Sequence, residues 1–380
     1  MLCLVDCNNF FASCERAQDP SLDGKPIVVL SNVGGIILAR SEEAKALGIP
    51  MGGASFEYEM LFRKYRVHVA TCHFSLYGAL SRKVMEILRG FSPDIEIYSV
   101  DEAFLKMDVM TFDQAHTIRK TIYDQTRIPV SLGIGATKTL CKAAIHFAKP
   151  RPDGIFFMED TCLAALPIEE VWGIGPHLAA RLRAKAIYTA CDLVAKSDYF
   201  LKKELSVIGL RTAWELRGMP CLSFDEMAPP KQSISMSRSF PKPLFYENDL
   251  APILASYTTD VSDELRSSDQ VASVISVWLS TSLFGRGKKY AQSASSIFPE
   301  PTSFTPSLLI EAKSLLSQIY APGYAYKKVG VMLSGLLPAS CVQQDLFSPK
   351  TAPRDARLQS TLDHITARYG PDSIHIGSEI

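Results

Sequence analysis

Three carboxylates stand where strand-like runs of this chain end. Residues 2–6 (Leu-Cys-Leu-Val-Asp) read as a buried strand closing on Asp6. Asp101 and Glu102 lie between the apolar runs at Ile95 and Ile97 and at Phe104 and Leu105. In an α/β sheet such ends can lie side by side, and three carboxylates converging there repel one another unless cations neutralise them. Hard oxygen donors at a shared edge suit Mg²⁺, which keeps several waters and takes further ligands from substrate phosphates. Two such ions, roughly 3.5–4 Å apart, stabilise both the attacking and the leaving oxygen of a phosphoryl displacement. In that reading Asp6 and Asp101 bridge both ions, and Glu102 completes the site of the ion that activates the attacking hydroxyl. The Cys7 carbonyl serves the second ion. Spacing alone is satisfied as well by two ordinary hairpin-turn acids at 101 and 102.

Other residues fit a nucleotide only in context. Phe10 and Phe11 follow Asp6 closely. A ring beneath a sugar leaves no room for a 2′-hydroxyl, although two adjacent phenylalanines are more often core. Lys45 and Lys149 are candidate point charges for a triphosphate. Gly173-Ile174-Gly175 can turn backbone N–H groups to a phosphate and so hold a duplex without reading its sequence; a plain helix–helix turn has the same pattern. Gln343-Gln344-Asp345-Leu346-Phe347 sets a Leu-Phe pair in a polar stretch, able to anchor in a partner's groove or to fold back on its own body.

The elements that must position these residues follow from periodicity. Asn8 or Asn9 is placed to cap a short helix through Glu15. Apolar runs at 27–31 and 36–39, with Gly34-Gly35 between them, predict a hairpin. Ser41 and Gly48 bracket a helix over 41–47. Leu76, Leu80, Val84 and Leu88 recur at four-residue spacing in a helix over 75–89. An amphipathic helix at 112–127, a strand at 129–135 and a helix at 138–148 complete a β, β–β, α, β, α order that resembles a ferredoxin-like layer. Short helices run from Trp172 to about Gly218, and Met227-Ala228-Pro229-Pro230 reads as a linker. Then comes a strand at 232–238, a helix at 250–266, strands at 271–280 and 289–297, a helix capped by Thr305 with Pro306 at its first position, and a strand at 327–333. This second β-α-β-β-α-β order predicts a separate domain. Beyond Pro338 only a weak helix at about 355–368 is expected.

Composition bounds the class. The 380 residues exceed one hydrophobic core, which predicts several domains. A hydrophobic fraction of 47% and a charged fraction of 21% are those of an ordinary globular chain, and no apolar run is long enough for a membrane span. The nine cysteines follow no zinc or disulfide spacing, which predicts reduced thiols in a cytosolic compartment. With 40 basic and 40 acidic residues the balance does not favour nucleic acid. Arg286, Lys288 and Lys289 nonetheless form one basic cluster, and Lys138, Lys142, Lys149 and Arg151 another.

Taken together, these stretches resemble a family. Val5-Asp6-Cys7-Asn8-Asn9-Phe10-Phe11-Ala12-Ser13-Cys14-Glu15, Ala39-Arg40-Ser41-Glu42-Glu43-Ala44-Lys45-Ala46-Leu47-Gly48-Ile49, Ile97-Tyr98-Ser99-Val100-Asp101-Glu102-Ala103-Phe104, Gly133-Ile134-Gly135-Ala136-Thr137-Lys138-Thr139-Leu140 and Ala148-Lys149-Pro150 stand in the order of the Y-family translesion DNA polymerases. The resemblance is to the UmuC type, the catalytic subunit of bacterial DNA polymerase V. It implies a multidomain α/β (α+β) right-hand polymerase: a ferredoxin-like palm (1–10 and 73–162), small fingers (11–72), a helix-hairpin-helix thumb (163–226), a linker (227–231), a βαββαβ little finger (232–338) and a C-terminal tail with a clamp-binding motif (339–380).

By motif position the resemblance implies metal ligation by Asp6, Cys7, Asp101 and Glu102, with two Mg²⁺ ions. It implies nucleotide binding by Phe10, Phe11, Lys45 and Lys149, with Phe11 as steric gate. DNA contacts fall on Gly173, Gly175, Arg238, Arg286 and Lys288, and sliding-clamp docking on Gln343, Leu346 and Phe347. The implied partners are primer–template DNA, dNTP, the β clamp, UmuD′ and a RecA filament, in the bacterial cytoplasm at the nucleoid, within the SOS response to DNA damage. Many family members carry Tyr and Arg where this chain has Glu42 and Lys45, and Thr where it has Ala39. Glu42 would repel a triphosphate and is expected to point away. UmuC-type chains usually run on past the position of Ile380. The alternatives are a non-catalytic DNA and clamp adaptor, against which the three acids argue, and a palm-fold cyclase, which needs neither thumb nor little finger.

Overall fold

The computed structural model describes residues 1–31, 35–224, 231–282, 287–341, 352–370, 373–374 and 377. The chain divides into two compact units, Met1–Ala228 and Pro229–Ile380. Gly34, residues 227–230, Arg286 and the stretch Gln343–Phe347 lie outside the described residues.

The first unit begins with β1 (Leu2–Cys7), α1 (Phe10–Gln18), β2 (Ile27–Leu30), β3 (Ile37–Arg40), α2 (Glu42–Ala46), α3 (Glu59–Tyr65) and β4 (His68–Thr71). It continues through α4 (Phe74–Arg89), β5 (Ile95–Ile97), β6 (Glu102–Lys106), α5 (Phe112–Thr126), β7 (Val130–Gly135), α6 (Lys138–Ala148) and β8 (Ile155–Phe157). Helices α7 (Pro176–Arg183), α8 (Ala190–Val194) and α9 (Asp198–Leu216) close it. Five strands form one sheet in the order β5-β6-β1-β7-β8. The first four strands of that order, β5-β6-β1-β7, are the ferredoxin-like arrangement expected from the element order. The central strand β1 is almost wholly buried, which explains its unbroken apolar run before Asp6. A separate sheet runs β3-β2-β4, with α2 packed against β2.

Helix α6 is seated on β7 at very close range. A methyl group on Gly133 would come within 2.4 Å of the Cys141 carbonyl oxygen and 2.8 Å of the Ile145 nitrogen. Only glycine allows this approach. Helix α6 and its C-cap residue thereby bring Lys142 to Glu102 of β6 and Lys149 to Asp6 of β1.

The second unit contains β9 (Ser233–Leu244), α10 (Glu247–Ser267), β10 (Gln270–Thr281), β11 (Ala291–Thr302), α11 (Thr305–Ile319), β12 (Tyr326–Pro338) and α12 (Ala352–Tyr369). Its sheet runs β11-β10-β12-β9, all antiparallel, with α10 and α11 packed on one face. Strands β9, β11 and β12 run several residues further than hydropathy predicts, because Lys, Ser and Pro break the apolar pattern without breaking the ladder.

Two expected caps are corrected. Asn9 stands at the head of α1, but in left-handed geometry (φ 48°) and without capping it; its side-chain amide donates to Glu42 instead. Thr305 is the first residue of α11 rather than its cap, with Phe304 before it. The Thr305 hydroxyl is drawn into the Ser262 and Arg266 network of α10, which offers it stronger partners than its own helix end. Ser41, by contrast, caps α2 as expected, accepting from the Ala44 N–H.

Candidate active site

Backbone pairing brings the three acids to one end of the sheet. The β1–β6 register sets Asp6 directly opposite Glu102, and the Cys7 N–H donates to the Asp101 carbonyl at 2.9 Å. Asp6 is buried, at 7% exposure. Asp101 is held by a short turn, in which Ser99 Oγ donates to its Oδ1 at 2.6 Å and accepts from its N–H at 3.3 Å.

Each strand-end acid that leaves this turn meets a lysine from α6 or its C-cap. Lys149 Nζ donates to Asp6 Oδ2 at 3.1 Å. Lys142 Nζ donates to both Glu102 oxygens, at 2.7 and 2.6 Å. Lys142 also lies 4.5 Å from the Tyr98 ring centre and 5.6 Å from that of Trp172, two rings set edge to face. Cation–π attraction of this kind fixes an ammonium in place. Among the described residues no three His, Cys, Asp or Glu side chains are drawn together as a ligand set. The acids are turned toward lysines and a serine instead. The donor set nevertheless fits a divalent cation. It is carboxylate oxygen throughout, and it converges by backbone register.

Burial dominates the electrostatics. Desolvation pushes the Asp6 carboxyl up to about 7, with Glu102 adding to the rise and Lys149 opposing it. In the unfolded chain an aspartic acid titrates near pH 4. Between pH 4 and 7 the folded, metal-free protein therefore holds a proton that the unfolded chain has lost, so stability falls as pH rises through that window. Asp6→Asn removes this penalty. It is expected to raise the melting temperature of the metal-free protein at pH 8 by several degrees and to flatten its dependence on pH between 5 and 8. A melting temperature that falls at pH 8 would show that the Lys149 pair outweighs burial.

The nucleotide candidates divide. Phe10 is core, at 4% exposure, so only its backbone faces the head of α1. Phe11 is partly exposed and braced from behind. It stacks on Tyr77 at 4.5 Å with the rings 16° apart, and meets Phe74 edge-on at 6.1 Å. Tyr77 is itself anchored by donating to Glu15 Oε1 at 2.5 Å. Lys45 does not stand alone, since its Nζ donates to Glu42 Oε1 at 2.7 Å. Glu42, expected to point away, is turned to Lys45 and Asn9 at the mouth of the same site.

The DNA candidates lie in both units. Gly173 takes a left-handed turn (φ 87°) that favours glycine, and Gly175 heads α7 with Pro176 as its first helical residue. Gly173 lines a groove with Leu178, Leu205, Ile208 and Thr212. Arg238 is on β9, exposed, and in register with Val329. That register puts it on the face shared with Ile234 and Met236, beside Tyr257 of α10. The opposite, open face is formed by Ser235, Ser237 and Ser239 of β9, Ser276 and Ser280 of β10, and Trp278 against Gly330. Lys288 is exposed.

Reading by sequence placed Lys142 only in a basic stretch, and missed Tyr98, Trp172 and this serine face. Lys142 and Lys149 are seven residues apart, two turns of one helix face. That spacing was the available signal.

The sequence model of the impB/mucB/samB family matches residues 5–146, and that of its C-terminal domain matches residues 231–346. Protein UmuC of Salmonella typhimurium is 36% identical, over 100% of this chain and 93% of its own length. DNA polymerase IV of Moorella thermoacetica is 29% identical, over 98% of this chain and 94% of its own. Among solved structures, a Y-family DNA polymerase chimera, Dbh-Dpo4(243-245)-Dbh, superposes with a TM-score of 0.73 at 22% identity, covering 88% of this chain and 99% of the other.

Proposed function

The chain belongs to the impB/mucB/samB family, and from that membership we propose that Asp6, Asp101 and Glu102 are its catalytic centre. It is a DNA-directed DNA polymerase of the translesion kind, a Y-family enzyme of the UmuC type. The observation that carries the assignment is the register of β1 on β6. It sets two acids face to face at a sheet end, with the third bonded through its carbonyl to Cys7.

In this reading Asp6, Asp101, Glu102 and the Cys7 carbonyl hold two Mg²⁺ ions, which when bound supply the positive charge that activates a primer 3′-OH and steadies the leaving pyrophosphate. The residues of the chain supply position. Ser99 orients Asp101, and Lys142 orients Glu102 through both of its oxygens. Lys149 and Lys45 receive the triphosphate, aided by the N–H groups that head α1. Phe11, unable to retreat because Tyr77 backs it, closes the space beside the sugar C2′.

The five-stranded sheet serves as palm, the three-stranded sheet with α2 and α3 as fingers, α7–α9 as thumb and the second unit as little finger. Gly173 and Gly175 grip the duplex by backbone. In the little finger the serine face offers small hydroxyls to phosphates, and Arg238, Arg286 and Lys288 are the further DNA-contact candidates. Gln343, Leu346 and Phe347 dock a sliding clamp, and UmuD′ and a RecA filament are further partners in the bacterial cytoplasm, within the SOS response. Template-directed primer extension, and its loss on replacing Asp101, test this reading.

A further inference from the structure

One charge at the proposed nucleotide site has the wrong sign for a triphosphate. Glu42 opens α2, and its Oε1 accepts from Lys45 Nζ at 2.7 Å and from Asn9 Nδ2 at 2.9 Å. Asn9 is free to reach it because its side chain does not cap α1. Desolvation pushes the Glu42 carboxyl up, but hydrogen bonds from Lys45 and Asn9, with the charges of Lys45 and Lys149, outweigh it and hold the group below the usual carboxylate range. Glu42 is therefore ionised at neutral pH. Lys149 is paired with Asp6 in turn. Both lysines assigned to the triphosphate are thus already engaged by acids of the chain.

The Glu42 side chain is 71% exposed, so nothing packs it in place. It is also not the sole tie between α1 and α2. Arg16 of α1 donates to both oxygens of Glu43 at 3.1 Å. The Glu42 charge can be removed without undoing that junction.

We propose, on the reading that Lys45 and Lys149 receive the triphosphate, that Glu42 is a displaceable counter-anion that sets the KM for the incoming nucleotide. It holds Lys45 in position before the nucleotide enters, and it is exchanged for phosphate oxygen when the nucleotide arrives. The two anions compete for one ammonium, and the residual repulsion from Glu42 weakens the grip on every nucleotide alike. Ground-state binding is therefore affected more than the chemical step.

Primer extension over a range of dNTP concentrations, at two ionic strengths, tests this with Glu42→Gln, Glu42→Ala and Lys45→Ala. Glutamine keeps an acceptor for Asn9 and removes the charge. Glu42→Gln is expected to lower KM by roughly 3- to 10-fold, with kcat changed less than KM, and the gap from the unaltered protein should narrow as salt screens the charge. Glu42→Ala should act in the same direction, and Lys45→Ala should raise KM. If Lys45→Ala raises KM while Glu42→Gln leaves it unchanged or raises it, Glu42 is a mere anchor between α1 and α2 and the inference falls. If neither substitution moves KM, the nucleotide does not meet this cluster, and the placement of the triphosphate falls with the inference.

Discussion

Asp101→Ala is expected to abolish primer extension, by at least about 10³-fold in kcat, with the affinity for primer–template nearly unchanged. A loss of that size is what removal of a carboxylate shared by two metal ions entails. The structure makes the substitution a clean one. Asp101 lies in the short link between β5 and β6, outside the buried core. Its contact with β1 runs through its carbonyl to Cys7, which alanine keeps. Among the described residues its side chain hydrogen-bonds Ser99. In the proposed reading the DNA contacts lie away from this turn, so gel-shift or anisotropy measurements should barely change. Extension at more than about a tenth of the normal rate would remove Asp101 from the metal site.

The second large effect concerns sugar selection. Phe11→Ala is expected to raise ribonucleotide insertion, read as kcat/KM for rNTP over dNTP, by about 10²-fold, a difference of about 2.7 kcal/mol. An aromatic gate of this kind works only if it cannot yield. Phe11 is packed flat against Tyr77 at 4.5 Å and flanked by Phe74. The Tyr77 hydroxyl is fixed on the buried Glu15, which also faces His73 at 3.3 Å. In the proposed reading a 2′-hydroxyl would meet a wall backed by three side chains. Truncation to alanine opens a space of ring size. An unchanged ratio would place the gate elsewhere.

Much of the catalytic frame was legible in the sequence because it depends on local patterns. A continuous apolar run ending at Asp6 means a central strand. Two short apolar runs around Asp101 and Glu102 mean a hairpin. The limits of α6 follow from Thr137, whose side chain caps it. What was not legible depends on distance across the fold. Lys142 and Glu102 are 40 positions apart, and nothing in either segment announces the pair. Lys138 read as part of a basic surface cluster, yet it is buried against Glu96 at 2.6 Å. A buried lysine is rare, so the expectation of exposure was sound and failed only because a partner was present.

Asn9 is a local failure of a different kind. Asparagine is a good cap, but it also tolerates left-handed backbone, and here the second property won. Arg238 read as a template-gripping residue. It is exposed, and strand alternation sets it on the side of α10, because the register of β9 is fixed by Ile234 and Phe240 seeking the core. The serines of the open face carry no hydropathic signal of their own, and only pairing across the four strands gathers them into a surface.

The central claim is that this chain copies DNA past damage. Its most direct test is extension of a primer by purified protein with Mg²⁺, on an undamaged template and on one carrying a single abasic site. Extension across the abasic site is the predicted result, with the Asp101→Ala protein inactive on both templates. The contradicting result is bound DNA with no nucleotide added on either template, at any Mg²⁺ or Mn²⁺ concentration, even with the sliding clamp, UmuD′ and a RecA filament supplied. That outcome would mark a DNA-binding adaptor built on a polymerase fold.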